Sequence, residues 1–487
     1  MKTTRQGIQS RDSARQRVKA GSPRAVASVL GSVSLVGAVV LGAAWISVRS
    51  VALSVRPVVD TEQDIAGDAP LISARRIPLV LSNEVRFDSF TRKLDALAAK
   101  LPTNSCLTID VQGRRIAAKD SAKLLLPASN MKLFVAAAAL DILGPDYRFT
   151  TKMYGQAEGS VIVGDLVVVG GGDPGITSAD YVATQRFPSR HFTPAEELVT
   201  ALKDVGITEI RGAIVGVEDR YDLERYAPNL GLGIRGTEVG PLGALMINDG
   251  SVSGDPLKPD QPALAAVRQI SNMLTASGIP VDGGLRVESI KPEGEPIATV
   301  ESPPLSEILR DLLANSDNDT AELLLKEMGL IKKGTGSREA GIAVIRDLLG
   351  QWGLDANQLT MMDGAGLERG SLVSCDLLAA VLGKEGAFGV VGQSLAIAGQ
   401  TGTLADVFVD TPAAGKLHGK TGTLSGAKAL SGFVPYSDTE AVSFVLILNG
   451  PPVANQSYYR PLWYELGSTL VEYTGRPTPL EIAPFFE

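Results

Sequence analysis
Leu124–Leu133 reads LLLPASNMKL and runs on as FVAAAALDIL. The apolar run predicts a helix with Ser129 near its start. Positions i and i+3 lie on one face of a helix, which makes the Ser129 hydroxyl and the Lys132 amine neighbours. Such a pair is either an accident of surface chemistry or a nucleophile beside its base.

Few other residues compete for the part of base. The 487 residues include two histidines, His191 and His418, and two cysteines, Cys106 and Cys375. A Ser-His-Asp triad would have to use one of those histidines, and a His/Cys zinc site is disfavoured. Lysine is therefore the favoured base for serine chemistry, and neither metal nor cofactor is expected. The formal net charge of −8 argues against a nucleic-acid partner. With 44% hydrophobic and 21% charged residues, the chain suits a sizeable core. At roughly 150 residues per domain, about three domains are expected. Two cysteines give no disulfide framework. They pair only if the fold brings their strands together, and two buried thiols are the alternative.

Residues 1–24 carry Lys2, Arg5, Arg11, Arg15, Arg17, Lys19 and Arg24 against Asp12 alone, and 25–48 carry no charge. That apolar stretch is long enough to cross a membrane, and the flanking positive charge keeps the N-terminal side cytoplasmic. The expectation is a basic tail (1–24), an uncleaved transmembrane signal anchor (25–48) and a linker (49–85), with the remainder outside the cell membrane. A cleaved signal peptide is the competing reading. Its apolar core usually runs about 7–15 residues, and a clear A-x-A site is missing.

Phe87, Phe90, Leu94, Leu97 and Leu101 recur at helical spacing. SCLTIDVQGRRIAAKD alternates around Gln112-Gly113 and predicts a hairpin. From 149 to 299 short apolar runs are separated by glycine, proline and aspartate, which predicts an inserted β-rich region of one or two small domains. Gly170–Asp173 reads as a tight turn, because no Lys-Ser/Thr follows to make a phosphate loop. Helical texture returns in LSEILRDLLA, TAELLLKEM and EAGIAVIRDLLGQWG. LHGKTGTLSGAKALSGFVPYSDTEAVSFVLILNG predicts three strands, and PLWYELGSTLVEY a closing helix.

S-x-x-K occurs twice, at Ser129–Lys132 and Ser425–Lys428. The second lies in a strand region, where i and i+3 point to opposite faces, so Lys428 reads as an ordinary strand residue. Ser316-Asp317-Asn318 connects two helices and could alone be a helix cap. Lys420-Thr421-Gly422 begins a strand, and TGTL at Thr401–Leu404 echoes Thr421–Leu424 with Gln400 in place of lysine. Each triplet is weak alone. The order S-x-x-K, S-D-N, K-T-G is the signature set of penicillin-binding proteins and serine β-lactamases.

LLLPASNMKL, GDLVVVGGGDPG, VGPLGALMINDG, SDNDTAELLLKEMG, DGAGLERGSLVS, TPAAGKLHGKTGTL and ALSGFV together resemble the low-molecular-mass class C penicillin-binding proteins, the D-alanyl-D-alanine carboxypeptidase/endopeptidase (peptidase S13) family. The match spans Leu94 to Gly450, and the long insertion between the first two motifs marks this family. Ala365 stands where the family's DGSGL stretch has a serine, so no side-chain role is carried over there. The resemblance implies an α+β fold: a penicillin-binding/serine β-lactamase-like transpeptidase domain, with an antiparallel sheet flanked by helices, formed by 86–148 and 300–487.

It also implies peptidoglycan stem peptides as substrate and acylation by β-lactam antibiotics. Ser129 would be the nucleophile and Lys132 its base, with a pKa depressed by burial and by Lys420. Ser316 would relay a proton to the leaving amine. Asn318 would orient Lys132 and bind substrate backbone. Lys420, Thr421 and Thr423 would hold the terminal carboxylate, Gly422 would let substrate lie close to the strand, and backbone N–H groups of Ser129 and Thr423 would form the oxyanion hole. A serine β-lactamase and a non-catalytic wall-binding protein of the same fold are the rival readings.

Overall fold
The computed structural model describes residues 77–252 and 257–473. The expected tail, the anchor at 25–48 and most of the linker lie outside the described residues. Helix α1 (Ile77–Lys100) begins inside the stretch read as linker. Phe90, Leu94, Leu97 and Leu101, which set its period, are all buried. The predicted hairpin is β1 (Ser105–Val111) and β2 (Arg114–Lys119). Gln112 and Gly113 have φ of 49° and 73°, the positive values that a two-residue turn needs to match strand twist.

Helix α2 (Lys132–Leu143) is apolar on all sides, and Lys132 to Ala139 are all buried. A helix hydrophobic all round belongs inside a core rather than on a surface. The inserted region then forms β3 (Thr150–Tyr154), β4 (Leu166–Val169), β5 (Ile214–Val217), α3 (Pro262–Ala276), β6 (Leu285–Val287) and β7 (Ala298–Glu301). Its sheet has the order β6-β5-β4-β3-β7, with parallel pairing of β5 to both neighbours. It carries its own apolar core, including Leu166, Val168, Ile214, Val267 and Ile270. The region is therefore mixed rather than simply β-rich, because parallel strands need crossover connections, and helices supply them.

Four helices follow: α4 (Leu305–Asn315), α5 (Asn318–Lys333), α6 (Arg338–Gln351) and α7 (Cys375–Glu385). Helix α5 buries Glu322, Lys326 and Glu327, charged residues that belong inside only when paired. Lys326 pairs with Asp222 at 2.6 Å, Glu327 with Arg220 at 2.5 Å, and Glu322 with Arg338 at 2.8 Å. Asp222 and Arg220 come from the inserted region, so these pairs fasten it to α5. The C-terminal part adds β8 (Ala396–Ile397), β9 (His418–Leu424), β10 (Ala427–Pro435), β11 (Ala441–Asn449) and α8 (Gln456–Leu470).

The main sheet has the order β8-β9-β10-β11-β1-β2, antiparallel throughout. Alternate residues divide between two cores, as a period of two demands. Val445 and Ile447 pack with α2, α4, α5 and α7. Phe444, Leu446 and Leu448 pack with α1 and α8. Cys106 on β1 and Cys375, the first residue of α7, form a disulfide with Cα atoms 5.9 Å apart, so the two thiols are not separate. Among the described residues no helix is long and apolar enough to cross a membrane. At Gly170–Asp173 a Cβ on Gly170 would lie 2.3 Å from Ala244 O, and one on Gly171 2.2 Å from Thr150 O. The run is closely packed, but the turn itself falls just after it, at Pro174–Gly175.

Candidate active site
Ser129 does not open an α-helix directly. Ala128–Met131 is a 3₁₀ turn, and α2 starts at Lys132. Ala128 holds φ at 49°, a conformation costly for a residue with a Cβ. Two glycines crowd this turn. A Cβ on Gly366 would lie 2.0 Å from Ala128 O, and one on Gly422 would lie 2.4 Å from Pro127 O. Gly422 therefore lets β9 approach the turn that carries Ser129.

Lys132 is fully buried, with Nζ 3.1 Å from Ser129 Oγ. It also donates to Asn318 Oδ1 and to the carbonyl of Ala365, both at 2.7 Å. Burial lowers its pKa to about 8, while Asp363, Asp317, Glu322 and Asp319 pull it upward. Lys420 is held well below the ordinary lysine value by burial and then by repulsion from Lys132, a repulsion the two amines share.

Ser316 and Asp317 form a two-residue break between α4 and α5, and Asn318 is the first residue of α5. Ser316 is left-handed, with φ 66°. Asp317 caps α5, accepting from Thr320 N–H at 2.8 Å, so capping falls to the middle residue and leaves its neighbours for the cleft. Asn318 Nδ2 donates to Glu238 O at 2.5 Å. Gly240 N–H donates to Asp319 at 2.7 Å. The inserted region thus fixes the amide that faces Lys132.

Ser129, Ser316, Asn318, Thr421 and Thr423 line one cleft of about 810 Å³. Lys132, Lys420 and Gly422 are buried alongside it. Strand β8 pairs only with His418 and Gly419, so the remaining edge of β9 is free of β8. Lys420 Nζ donates to Thr421 O at 2.9 Å. Thr421 Oγ1 hydrogen-bonds Thr403 Oγ1 at 2.8 Å, which gives the TGTL echo a place in the site. Ser425 lies in the turn between β9 and β10, and Lys428 lines the same cleft, unlike the ordinary strand residue expected.

Three contributors have roles that the motifs containing them do not announce. Ala365 acts through its carbonyl, for which its side chain is immaterial. Glu322 sets that carbonyl: its Oε1 accepts the N–H of Gly364 at 2.7 Å and of Ala365 at 2.8 Å, and its Oε2 takes Arg338. Thr403 meets Thr421. A carboxylate one turn into α5 could have been noticed in the sequence; its partners could not.

The chain matches the D-Ala-D-Ala carboxypeptidase 3 (S13) family over residues 91–254 and 246–460. It is 30% identical over 443 residues to a D-alanyl-D-alanine carboxypeptidase of Actinomadura sp. (strain R39), covering 75% of this chain and 80% of that protein. It is 27% identical over 338 residues to carboxypeptidase DacB of Mycolicibacterium smegmatis, covering 66% and 71%. The crystal structure of penicillin binding protein 4 (dacB) from Haemophilus influenzae superposes with a TM-score of 0.63 at 21% identity, over 77% of this chain and 98% of that one. The fold is thus the mixed α+β penicillin-binding fold, and the chain belongs to the D-Ala-D-Ala carboxypeptidase 3 (S13) family.

Proposed function
We propose that this protein is a serine D-alanyl-D-alanine carboxypeptidase of peptidoglycan stem peptides, with Ser129 as nucleophile and Lys132 as base. The contact that carries the reading is the buried Lys132 amine, 3.1 Å from Ser129 Oγ with its pKa lowered to about 8. A lysine takes up a proton only when neutral, and burial makes the neutral form accessible near physiological pH.

Neutral Lys132 accepts the Ser129 proton as Oγ attacks the carbonyl carbon of the penultimate D-alanine. The oxyanion forms between the N–H groups of Ser129 and Thr423; N–H groups in the first turn of a helix lack partners within it. Ser316 passes a proton to the leaving nitrogen, the C–N bond breaks, and D-alanine departs. Water then adds to the ester, the Ser129 ester bond breaks, and the serine recovers its proton. A penicillin acylates the same oxygen. Relatives and structures in this family include a β-lactam complex of the Haemophilus protein.

Incubation with a diacyl-D-Ala-D-Ala peptide and with a penicillin tests the reading. A carboxypeptidase releases D-alanine and gains the mass of the drug. Rapid turnover of the drug would make it a β-lactamase, and neither event would make it a binding protein.

Lys420 is assigned the terminal carboxylate of the substrate. Burial disfavours its charge, and a carboxylate beside it supplies the missing counter-charge. A charge-assisted bond is typically worth about 1.5–3 kcal/mol, or roughly 10–150-fold. Lys420→Ala should lower kcat/KM by that order for a free D-Ala-D-Ala end and add little once the carboxylate is amidated. Equal losses on both substrates would reassign Lys420 to the serine–lysine chemistry.

Residues 25–48 are proposed to anchor the protein in the cell membrane with the catalytic part outside, on the strength of their length and flanking charge. Protease added to spheroplasts should digest the bulk of the chain. Recovery of a shortened, freely soluble protein from the medium would show cleavage instead.

A further inference from the structure
The second S-x-x-K has no part in the chemistry above, yet its lysine lies in the cleft. Lys428 on β10 sits directly across from Thr423, and such pairs place both side chains on one face of the sheet. Lys428 is 8% exposed, and its Nζ lies 4.8 Å from the ring centre of Tyr459. Among the described residues it has no carboxylate partner; burial and neighbouring Arg460 both lower its pKa.

Arg460 is equally short of a counter-ion. Among the described residues its partners are oxygens without formal charge: the carbonyl of Asp406 at 3.4 Å, the hydroxyl of Tyr464 at 3.3 Å and the hydroxyl of Tyr459. Its Nε and the Nε1 of Trp463 are buried without acceptors. The Asp406 carboxylate lies 3.3 Å from Arg186. One wall of the cleft therefore carries two cations, Lys428 and Arg460, with no carboxylate paired to either among the described residues, a costly arrangement unless an anion completes it. Thr421 and Thr423 share a face of β9 and are assigned the terminal carboxylate together with Lys420, so Lys428, across from Thr423, lies beside the residue that leaves. A cleft of about 810 Å³ is of the size that holds a drug-sized ligand, more than a departing D-alanine needs.

We propose that Lys428 and Arg460 form a subsite for a second carboxylate, carried by the side chain of the leaving residue. It rests on the D-Ala-D-Ala reading and adds a substrate class to it: acyl-D-Ala-D-Xaa peptides in which Xaa is acidic.

Two diacyl-L-Lys-D-Ala-D-Xaa peptides, with D-Glu or D-Gln as Xaa, have nearly one shape and differ by one charge. Wild type should favour D-Glu by about 10-fold or more in kcat/KM, the size of a charge-assisted bond. Lys428→Met should bring that ratio close to one, Arg460→Met should lower it independently, and Lys428→Arg should keep it. Penicillin capture, read by mass, shows that each variant is folded. Equal rates on D-Glu and D-Gln in wild type overturn the subsite. A ratio that survives Lys428→Met overturns the role of Lys428. Failure to cleave even the D-Ala-D-Ala peptide removes the function itself and the subsite with it.

Discussion

Ser129→Ala is expected to abolish the covalent penicillin adduct completely, with no change in the folded state. Ser129 is the one serine in the cleft with a buried amine at bonding distance, 3.1 Å away. Ser425 also lines the cleft, but it lies in the turn between β9 and β10, and Lys428 turns to Tyr459 instead. Ser425→Ala should therefore keep the adduct. Mass spectrometry of both variants after incubation with a penicillin decides between them, and an adduct lost from the Ser425 variant alone would exchange the two assignments. The fold should survive because Ser129 is half-buried on a turn set by its neighbours. Circular dichroism of the variant against wild type checks this.

Lys132→Met should slow acylation by about 10²–10⁴-fold, the usual contribution of a general base. Methionine matches the stem of lysine and removes only the amine, but it leaves Asn318 Oδ1 and Ala365 O without their shared donor, so some loss of stability accompanies the loss of rate. The pH profile separates chemistry from stability. The working form of Lys132 is neutral, and its pKa is lowered to about 8. The wild-type acylation rate should then climb with pH through about 8 and level off above it. The variant should lose that ascent. A wild-type profile flat from pH 6 to 10 would remove Lys132 as the base.

Much of this was legible because the deciding patterns are local. The apolar run after Lys132 implied a helix, and the strands of the closing hairpins alternate as strands should. Ser129, Lys132, Ser316, Asn318 and Lys420 each sat in a recognisable segment. What could not be read depends on distant partners. The carbonyl of Ala365 becomes a ligand of Lys132 only because Glu322 holds the loop. Thr403 gains meaning from Thr421. The 3₁₀ turn at Ser129 follows from the strained Ala128, whose conformation is imposed by Gly366 and Gly422 packing against it, whereas alanine by itself favours a regular helix. The helix on Phe90, Leu94 and Leu97 begins earlier, at Ile77, than its apolar period implies, because its first residues lack that period.

The Cys106–Cys375 bond closes a ring of chain with a sequence separation of 269. Ser129, Ser316 and the whole inserted region lie within this ring, while Lys420 and α8 lie outside it. In the chain-entropy view a closure of this length stabilises by an amount near the top of the usual range, about 5 kcal/mol. Such bonds persist where the surroundings are oxidising and are rare where glutathione keeps thiols reduced. The oxidised protein is thereby harder to open than its dithiol form, because the unfolded chain is itself closed into a ring. Because both cysteines are wholly buried, a reductant reaches the sulfurs only after the fold has opened, so the bond is a latch that unfolding must precede.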